Sequence, residues 1–343
     1  MVRKILWGLM ALTPVALIAR FVLHLDPTTL FILSALALIP LAWLIGEATE
    51  HAAEHTGPGI GGFLNASFGN APELIIALFA VADGLPGVVR GSLTGSVVSN
   101  ILLVLGAAMI AGGDGKVDTR SLRWQLVSVF GAVVLLLVVS IPSWNGGSRE
   151  RHNLFLLSIP ISLILLAAYV VITVRNLRIH RATERAEPAE HAWTLRKSIV
   201  LLCGATLATA LVSETLVHSL EHFGHAVGLN EFFIAVVIVA IVGNAAEHGG
   251  AIVIAKGGNT TLATEIAITS SMQVAVFVVP AVCLLSWIVG RGLPLSFRAI
   301  EIATMAAAAL FATIVVWDGR SRRWEGFLLI GVYGLAVVAY YFA

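Results

Sequence analysis

Residues 69–73 read GNAPE and lie near the middle of an apolar run, GGFLNASFGNAPELIIALFAVADG at 61–84. A carboxylate at membrane depth costs roughly 2.5–3.5 kcal/mol on insertion scales. Pro72 also removes a backbone donor, which leaves a carbonyl one turn earlier without its partner. A charge and a helix break therefore coincide where both are unfavourable, so Glu73 at this depth needs an explanation.

The composition of the whole chain is that of a membrane protein. Of its 343 residues, 58% are hydrophobic and 12% are charged, whereas a soluble domain carries about 25% charged residues. The mean hydropathy is +0.93. The basic residues lie in short loops and form no patch, so nucleic-acid binding has no support. We predict an all-α polytopic membrane protein that resides in a lipid bilayer.

About eleven transmembrane helices are predicted, because each needs about 20 mostly apolar residues. Turn signals such as Gly57-Pro58-Gly59 and the NGG at 145–147 separate the runs. Arg20 follows the first run without a small-x-small cleavage site, so we interpret that run as a helix and not as a signal peptide. The predicted spans are 5–23, 29–50, 61–82, 86–111, 122–142, 153–174, 196–220, 231–255, 262–289, 297–317 and 324–342.

The motif occurs a second time, as GNAAE at 243–247. Downstream of the two copies, SVVSN at 96–100 falls opposite TSSMQ at 269–273, which pairs Asn100 with Gln273. Each copy belongs to a set of five predicted spans. Since five is odd, the second set enters the membrane from the opposite face, as in transporters built from inverted repeats. The pattern predicts two inverted five-helix repeats preceded by one extra N-terminal helix.

This organisation divides the chain into four parts. They are an extra transmembrane helix at 1–28, a first repeat at 29–174, a cytoplasmic polar linker at 175–195 and a second repeat at 196–343. If the N-terminus is cytoplasmic, the cytoplasmic segments hold clearly more Lys and Arg than those on the other side. The positive-inside rule therefore favours a cytoplasmic N-terminus and an outside C-terminus.

The repeated motif supplies oxygen ligands. On a helix, Asn70 and Glu73 share a face, as do Asn244 and Glu247. A broken helix exposes carbonyl oxygens, which membrane depth tolerates only where they line a cavity. Carboxylates, amides and carbonyls suit Ca²⁺, which takes about 6–8 oxygens. The predicted cation and proton ligands are Glu73, Glu247, Asn70 and Asn244, the supporting residues are Asn100, Gln273, Ser96, Gly69 and Gly243, and the access-path or modulating residues are Glu50, Glu214 and His248.

The two acids also predict how transport is coupled. Without a cation, two facing carboxylates in a low-dielectric site repel each other and take up protons. The site then holds either a divalent cation or protons, and this competition is the coupling that an antiporter needs. Ca²⁺ is thus the expected substrate and H⁺ the coupling ion, with no cofactor.

GNAPELI at 69–75 and GNAAEH at 243–248 resemble the paired repeat signatures of the calcium/cation antiporter superfamily, within it the cation/proton exchanger branch. The resemblance covers nearly the whole chain, including GSLTGSVVSNILLVLG at 91–106. It implies Ca²⁺/H⁺ exchange with Glu73 and Glu247 as the central ligands. The short N-terminus, compared with many eukaryotic members, suggests a bacterial plasma-membrane protein. Ala246 stands where the first copy has Pro72, so the two helix breaks need not be symmetrical.

Several alternatives stay open at this stage. Sodium/calcium exchangers of the same superfamily carry a Gly-Ser/Thr-Ser stretch where this chain has Asn70-Ala71, so Na⁺ coupling is the second hypothesis. HAAEH at 51–55 matches the HxxEH zinc-peptidase pattern and suggests a metalloenzyme. A channel with the same ligands is a third class. The asparagines could instead serve interhelical hydrogen bonding, and the acids could only fix helix packing. A homo-oligomer is left open.

Overall fold

The computed structural model describes residues 2–144, 148–180 and 193–343. The predicted turn at 145–147 and most of the predicted linker lie outside the described residues. The helices are α1 (Val2–Leu9), α2 (Leu12–Phe21), α3 (Pro27–Phe68), α4 (Ala71–Ala82), α5 (Pro86–Val98), α6 (Leu105–Gly112), α7 (Thr119–Trp144), α8 (His152–His180), α9 (Leu195–Val227), α10 (Glu231–Phe233), α11 (Ala240–Gly243), α12 (Ala245–Lys256), α13 (Thr260–Gln273), α14 (Val279–Ile288), α15 (Ala299–Val316) and α16 (Arg323–Tyr341).

Three π-helical segments join neighbouring helices without a break. They are Ser99–Val104 between α5 and α6, Ile234–Val239 between α10 and α11, and Val274–Val278 between α13 and α14. Strands β1 (Gly115–Lys116) and β2 (Arg320–Ser321) form a two-residue antiparallel ladder. The predicted all-α membrane fold is confirmed.

Within the described residues, nine helices are long and apolar enough to cross a membrane, and a pair bent by 56°, Glu231–Gly243 with Ala245–Lys256, makes up to ten. The shorter α4 is also apolar. The predicted count of eleven therefore stays a prediction. Two spans, Pro86–Gly112 and Thr260–Ile288, are the most buried. In their most apolar stretches, 83% and 72% of the residues are buried inside the protein. These two spans form the centre of the bundle.

The predicted helix break at Gly57-Pro58-Gly59 is wrong. α3 continues for 42 residues to Phe68, and the interruption comes at Gly69 and Asn70 instead. Proline inside a membrane helix is tolerated where neighbouring groups satisfy the freed carbonyl. Along a straight helix Gly69 would lie about 35 Å from Gly46, yet both residues line one cavity. α3 is therefore not straight, and the predicted 61–82 span consists of its last part together with α4.

One end of the bundle carries the N-terminus. Arg3 pairs with Glu47 at 3.0 Å. Glu47 lines a cavity together with Leu262, and the neighbouring Thr261 hydroxyl donates to the Lys116 carbonyl at 3.0 Å. Through the β1–β2 ladder, Arg320 belongs to the same end. We call this the N-terminal end.

The other end carries the C-terminus. Arg90 pairs with Glu150 at 2.7 Å, and Arg298 donates to the carbonyl of Ala343 at 3.2 Å. Arg90 also donates to the Pro294 carbonyl at 3.3 Å. The central span from Pro86 to Gly112 connects the two ends. The first and last helices of the described residues therefore lie with their terminal ends at opposite ends of the bundle.

The two central spans are separated in the sequence by the same distance as the two copies of the motif. Each contains a π-helical segment at the corresponding place, Ser99–Val104 in one and Val274–Val278 in the other. Ser271 Oγ donates to the Val97 carbonyl at 3.2 Å, and these two residues are 174 positions apart, as are Gly69 and Gly243. Equivalent positions of the two copies thus meet, as they do near a two-fold axis.

Candidate functional site

Both copies of the motif interrupt a helix in the same way. Asn70 precedes α4 with φ −101° and ψ 17°, and Asn244 precedes α12 with φ −97° and ψ 7°. Pro72 lies in the first turn of α4, where its missing N–H has no intrahelical partner to lose. Ala246 occupies the matching place in α12. The break is therefore symmetrical, and the second copy achieves it without proline.

The two glutamates follow these breaks. Glu73 and Glu247 lie in the first turns of α4 and α12, where the helix dipole is positive and favours a negative charge. Glu73 is buried, Glu247 is partly exposed, and their charges are close enough to interact. The methylene Cγ of Glu73 packs against Gly243, 3.8 Å from where a Cβ would stand. The carboxylates of both copies thus converge on one place.

Each glutamate keeps one oxygen without a protein partner. Glu73 Oε2 and Glu247 Oε2 are buried and make no hydrogen bond with any residue that the structure describes. Such an atom costs about 1–3 kcal/mol, and more when the group is charged. No ion pair in the described part of the chain involves either residue. Their chemistry fits a cation or a proton as the missing partner.

The first asparagine contacts the second repeat. Asn70 Nδ2 donates to Gln273 Oε1 at 3.1 Å, and both side chains lie in the interior. Gln273 ends α13 directly before the π-helical segment. Gln273 therefore contacts Asn70 directly, as expected of a residue that supports it.

The second asparagine contacts the first repeat in the mirrored sense. Asn100 Nδ2 donates to Asn244 Oδ1 at 3.3 Å, while Asn244 Nδ2 donates to Ser96 Oγ at 2.8 Å and to the Ala240 carbonyl at 2.9 Å. Since Asn100 Oδ1 can only accept, His248 Nε2 acts as the donor in their 2.9 Å contact. This network holds the second break rigidly and places His248 behind the asparagines.

A cavity of about 800 Å³ connects the site to the N-terminal end. Its wall includes the exposed Glu50 at one extreme and Glu247, Gln273, Gly69 and Gly243 at the other. None of its lining residues is Lys or Arg. The cavity can therefore conduct a hydrated cation from solution to Glu247.

Glu73 lies on the closed side of the site. It borders a separate pocket of only about 10 Å³, together with Ser92, Ser96 and apolar side chains such as Leu93. That volume is close to the minimum for a single water molecule. The described conformation is thus open to the N-terminal end at Glu247 and closed toward the C-terminal end at Glu73.

The two predicted access-path acids lie at different ends. Glu50 lines the open cavity. Glu214 lies on α9 toward the other end, where Arg20 pairs with it at 3.0 Å and also contacts Thr215. The structure therefore brings Glu50, but not Glu214, into the path that is open here.

The histidines of the HAAEH segment have other contacts. His55 Nε2 lies 2.6 Å from the Trp193 carbonyl, and the His51 ring packs on the Trp193 indole with 4.6 Å between centroids. Among the described residues, no group of three or more His, Cys, Asp and Glu side chains is arranged to hold a metal. These histidines of α3 thus contact Trp193, two residues before the start of α9.

Several polar residues of the cavity wall were not predicted from the sequence. Glu265, Thr269 and Ser270 of α13 line the cavity, as does Gln125 of α7. Ser270 also lies beside Glu247. The spacing of Glu265, Thr269 and Gln273 is i, i+4, i+8, which puts them on one helix face. That pattern was the available signal.

Comparisons with known proteins agree with this architecture. The family described as "Sodium/calcium exchanger protein" matches residues 27–178 and 197–342. The Ca²⁺/H⁺ antiporter ChaA of Bacillus subtilis (strain 168) is 36% identical over 331 residues, 93% of each chain. A Ca²⁺/H⁺ antiporter of Aphanothece halophytica is 32% identical over 98% of this chain and 96% of its own. The solved structure of native YfkE has a TM-score of 0.84 and 33% identity, covering 99% of this chain and 100% of that one.

Proposed function

Because the chain belongs to the sodium/calcium exchanger protein family, we propose that it exchanges Ca²⁺ for H⁺ across a membrane by alternating access. The observation that carries the proposal is the meeting of Glu73 and Glu247, each with a buried oxygen that no described residue satisfies. The names of the two curated relatives support the choice of ions.

Glu73 and Glu247 bind the cation or protons in this proposal. Two carboxylates balance the 2+ charge of Ca²⁺, which removes most of the penalty for taking it out of water. When Ca²⁺ leaves, the carboxylates would repel each other in the interior, so protons take its place. One site that holds either species, but not both, couples the two fluxes.

Asn70 and Asn244 hold the helix breaks beside the ion. Each is tied to a side chain of the other repeat, Asn70 to Gln273 and Asn244 to Asn100. A movement of one repeat against the other therefore changes both breaks together. We propose that these hydrogen bonds couple the conformational changes at Glu73 to those at Glu247.

Alternating access follows from the inverted repeats. The described state exposes Glu247 through the open cavity and buries Glu73. In the opposite state the roles of the repeats are exchanged, which exposes Glu73 toward the C-terminal end. The repeats proposed for this motion are 29–174 and 196–343, with the helix at 1–28 outside them and the linker at 175–195 between them.

The orientation belongs to the same proposal. The N-terminal end carries Arg3, Lys116 and Arg320, and we assign it to the cytoplasm of a bacterial cell. The open cavity then faces the cytoplasm, and the C-terminus lies outside the inner membrane.

Exchange of Na⁺ for Ca²⁺ is the alternative. The matching family is named for sodium/calcium exchange. The relatives from Bacillus subtilis and Aphanothece halophytica, at 36% and 32% identity, are instead named Ca²⁺/H⁺ antiporters. The motif carries Asn70-Ala71 in place of the Gly-Ser/Thr-Ser stretch. We therefore place Na⁺ second.

Proteoliposomes distinguish the two. Purified protein is reconstituted into vesicles with an acidic interior, and Ca²⁺ uptake is followed in a Na⁺-free medium. We expect uptake that follows the pH gradient and stops when a protonophore dissipates it. Uptake that ignores the pH gradient but requires internal Na⁺ would overturn Ca²⁺/H⁺ exchange. Mn²⁺ and K⁺ in place of Ca²⁺ define the cation selectivity in the same vesicles.

A further inference from the structure

A series of hydrogen bonds through four polar side chains joins α7 to α13, and three of the four side chains line the open cavity. Thr269 Oγ1 donates to Gln125 Oε1 at 2.8 Å, and Gln125 Nε2 donates to Ser121 Oγ at 3.1 Å. Ser121 Oγ donates in turn to Glu265 Oε1 at 2.9 Å. Both helices contribute residues four positions apart, so each pair lies on one face of its helix.

The hydrogen bonds of this series all run toward Glu265. Thr269 donates to Gln125, Gln125 to Ser121, and Ser121 to the carboxylate, so every hydrogen bond has the sense that a charged acceptor favours. None of the ion pairs in the described ranges involves Glu265. This series of hydrogen bonds thus positions the Glu265 carboxylate without neutralising its charge.

Glu265 lies between solution and the site. It lines the cavity together with Glu247 and Gln273. Eight residues of α13 separate Glu265 from Gln273, which corresponds to about 12 Å along the helix axis. Gln273 in turn contacts Asn70 of the first motif. A cation that enters from the N-terminal end therefore passes this fixed carboxylate before it reaches Glu247.

We infer that Glu265 is a capture residue for the transported cation on the N-terminal side, positioned by Ser121 and Gln125. A fixed negative charge in a cleft with low-dielectric walls raises the local cation concentration and the association rate. Glu265 does not form part of the central site, so its charge acts on cation capture and not on the occluded state. The inference rests on the proposed exchange of Ca²⁺ for H⁺.

The test measures Ca²⁺ uptake into everted membrane vesicles, in which protease access to an N-terminal tag confirms that the N-terminal end faces the medium. For Glu265→Gln we expect a KM for Ca²⁺ about three- to tenfold higher, because one fixed charge no longer attracts the divalent ion as it enters the cavity. The saturating rate stays within about twofold. Because screening weakens only the charge effect, raising the salt concentration should narrow the difference from wild type.

Companion variants separate the charge from folding. Glu265→Asp keeps the charge and is expected to retain most of the wild-type KM. Ser121→Ala should raise KM in the same direction but less. Glu54→Gln is the matched control, since Glu54 is an acid at the same end but lines no part of the cavity. Its KM should stay at the wild-type value.

Two results would overturn the inference. One is a wild-type KM in Glu265→Gln, and the other is a lowered saturating rate with unchanged KM, which would assign Glu265 to the transport step or to folding. Failure of the proposed function looks different, because the wild-type vesicles themselves would then show no proton-driven Ca²⁺ uptake.

Discussion

Glu73 and Glu247 occupy equivalent places in the sequence but different surroundings in the molecule. Glu247 lines the open cavity beside Ser270, whereas Glu73 borders a small closed pocket with Ser92, Ser96, Gly243 and apolar side chains. His248, next to Glu247, also has no counterpart, since Leu74 follows Glu73. The two copies of the motif thus share a backbone conformation but differ in their side-chain surroundings.

Replacing either acid by its amide removes the charge and the proton-binding group but nearly keeps the shape. Losing one of two charges that balance a divalent ion should weaken binding by about 3 kcal/mol, or roughly a hundredfold. Glu73→Gln and Glu247→Gln are each expected to abolish Ca²⁺/H⁺ exchange in proteoliposomes.

The matched control is Glu221→Gln, because the Glu221 side chain is 59% exposed and borders neither the open cavity nor the Glu73 pocket. A size-exclusion profile like that of the wild type verifies folding. Normal transport by either central variant would show that the acid is not a shared ligand.

At the scale of elements, the half-helices depend on close contact with their neighbours. Gly95 of α5 lies against the segment that leads to Asn244, and a Cβ on Gly95 would overlap the Val236 carbonyl oxygen and come within 2.7 Å of Ala240 Cβ. The approach is between backbones, so no side-chain rotation can relieve it. Gly95 thus fixes how the second half-site sits on the first repeat.

Gly95→Ala is therefore expected to be destabilising. Overpacking of this kind costs about 1–3 kcal/mol, and the displaced segment carries Asn244, so both the melting temperature and the exchange rate should fall. Gly87→Ala is the control in the same helix, because a Cβ there meets nothing within 4 Å. Equal melting temperatures and transport rates for the two variants would contradict this packing role.

Sequence patterns predicted the elements unevenly. Hydropathy located the apolar spans, because each membrane-spanning helix needs about 20 mostly apolar residues. The break at Gly57-Pro58-Gly59 was mispredicted, and Pro72 was given a role in the break that Ala246 fulfils equally. Gly95 was missed because its importance depends on which helices pack together, which neither periodicity nor composition contains. Glu265 was missed although its i, i+4, i+8 spacing with Thr269 and Gln273 was present in the sequence.

At the scale of the whole molecule, the open cavity is acidic although the end at which it opens carries Arg3, Lys116 and Arg320. The open cavity at the N-terminal end contains Glu47, Glu50, Glu247 and Glu265 and no basic residue. The C-terminal end carries Arg90 and other arginines that pair with acids or with carbonyls. The acidic lining favours cation capture through the cavity, while the direction of net transport is set by the ion gradients.

The central claim is that one pair of acids holds either Ca²⁺ or protons. It is tested most directly by titrating purified, weakly buffered wild-type protein with Ca²⁺ while following the pH of the solution. The account predicts that Ca²⁺ binding releases protons and that the double variant Glu73→Gln/Glu247→Gln shows neither Ca²⁺ binding nor release. Ca²⁺ binding to the wild type without proton release, or equally tight binding to the double variant, would contradict it.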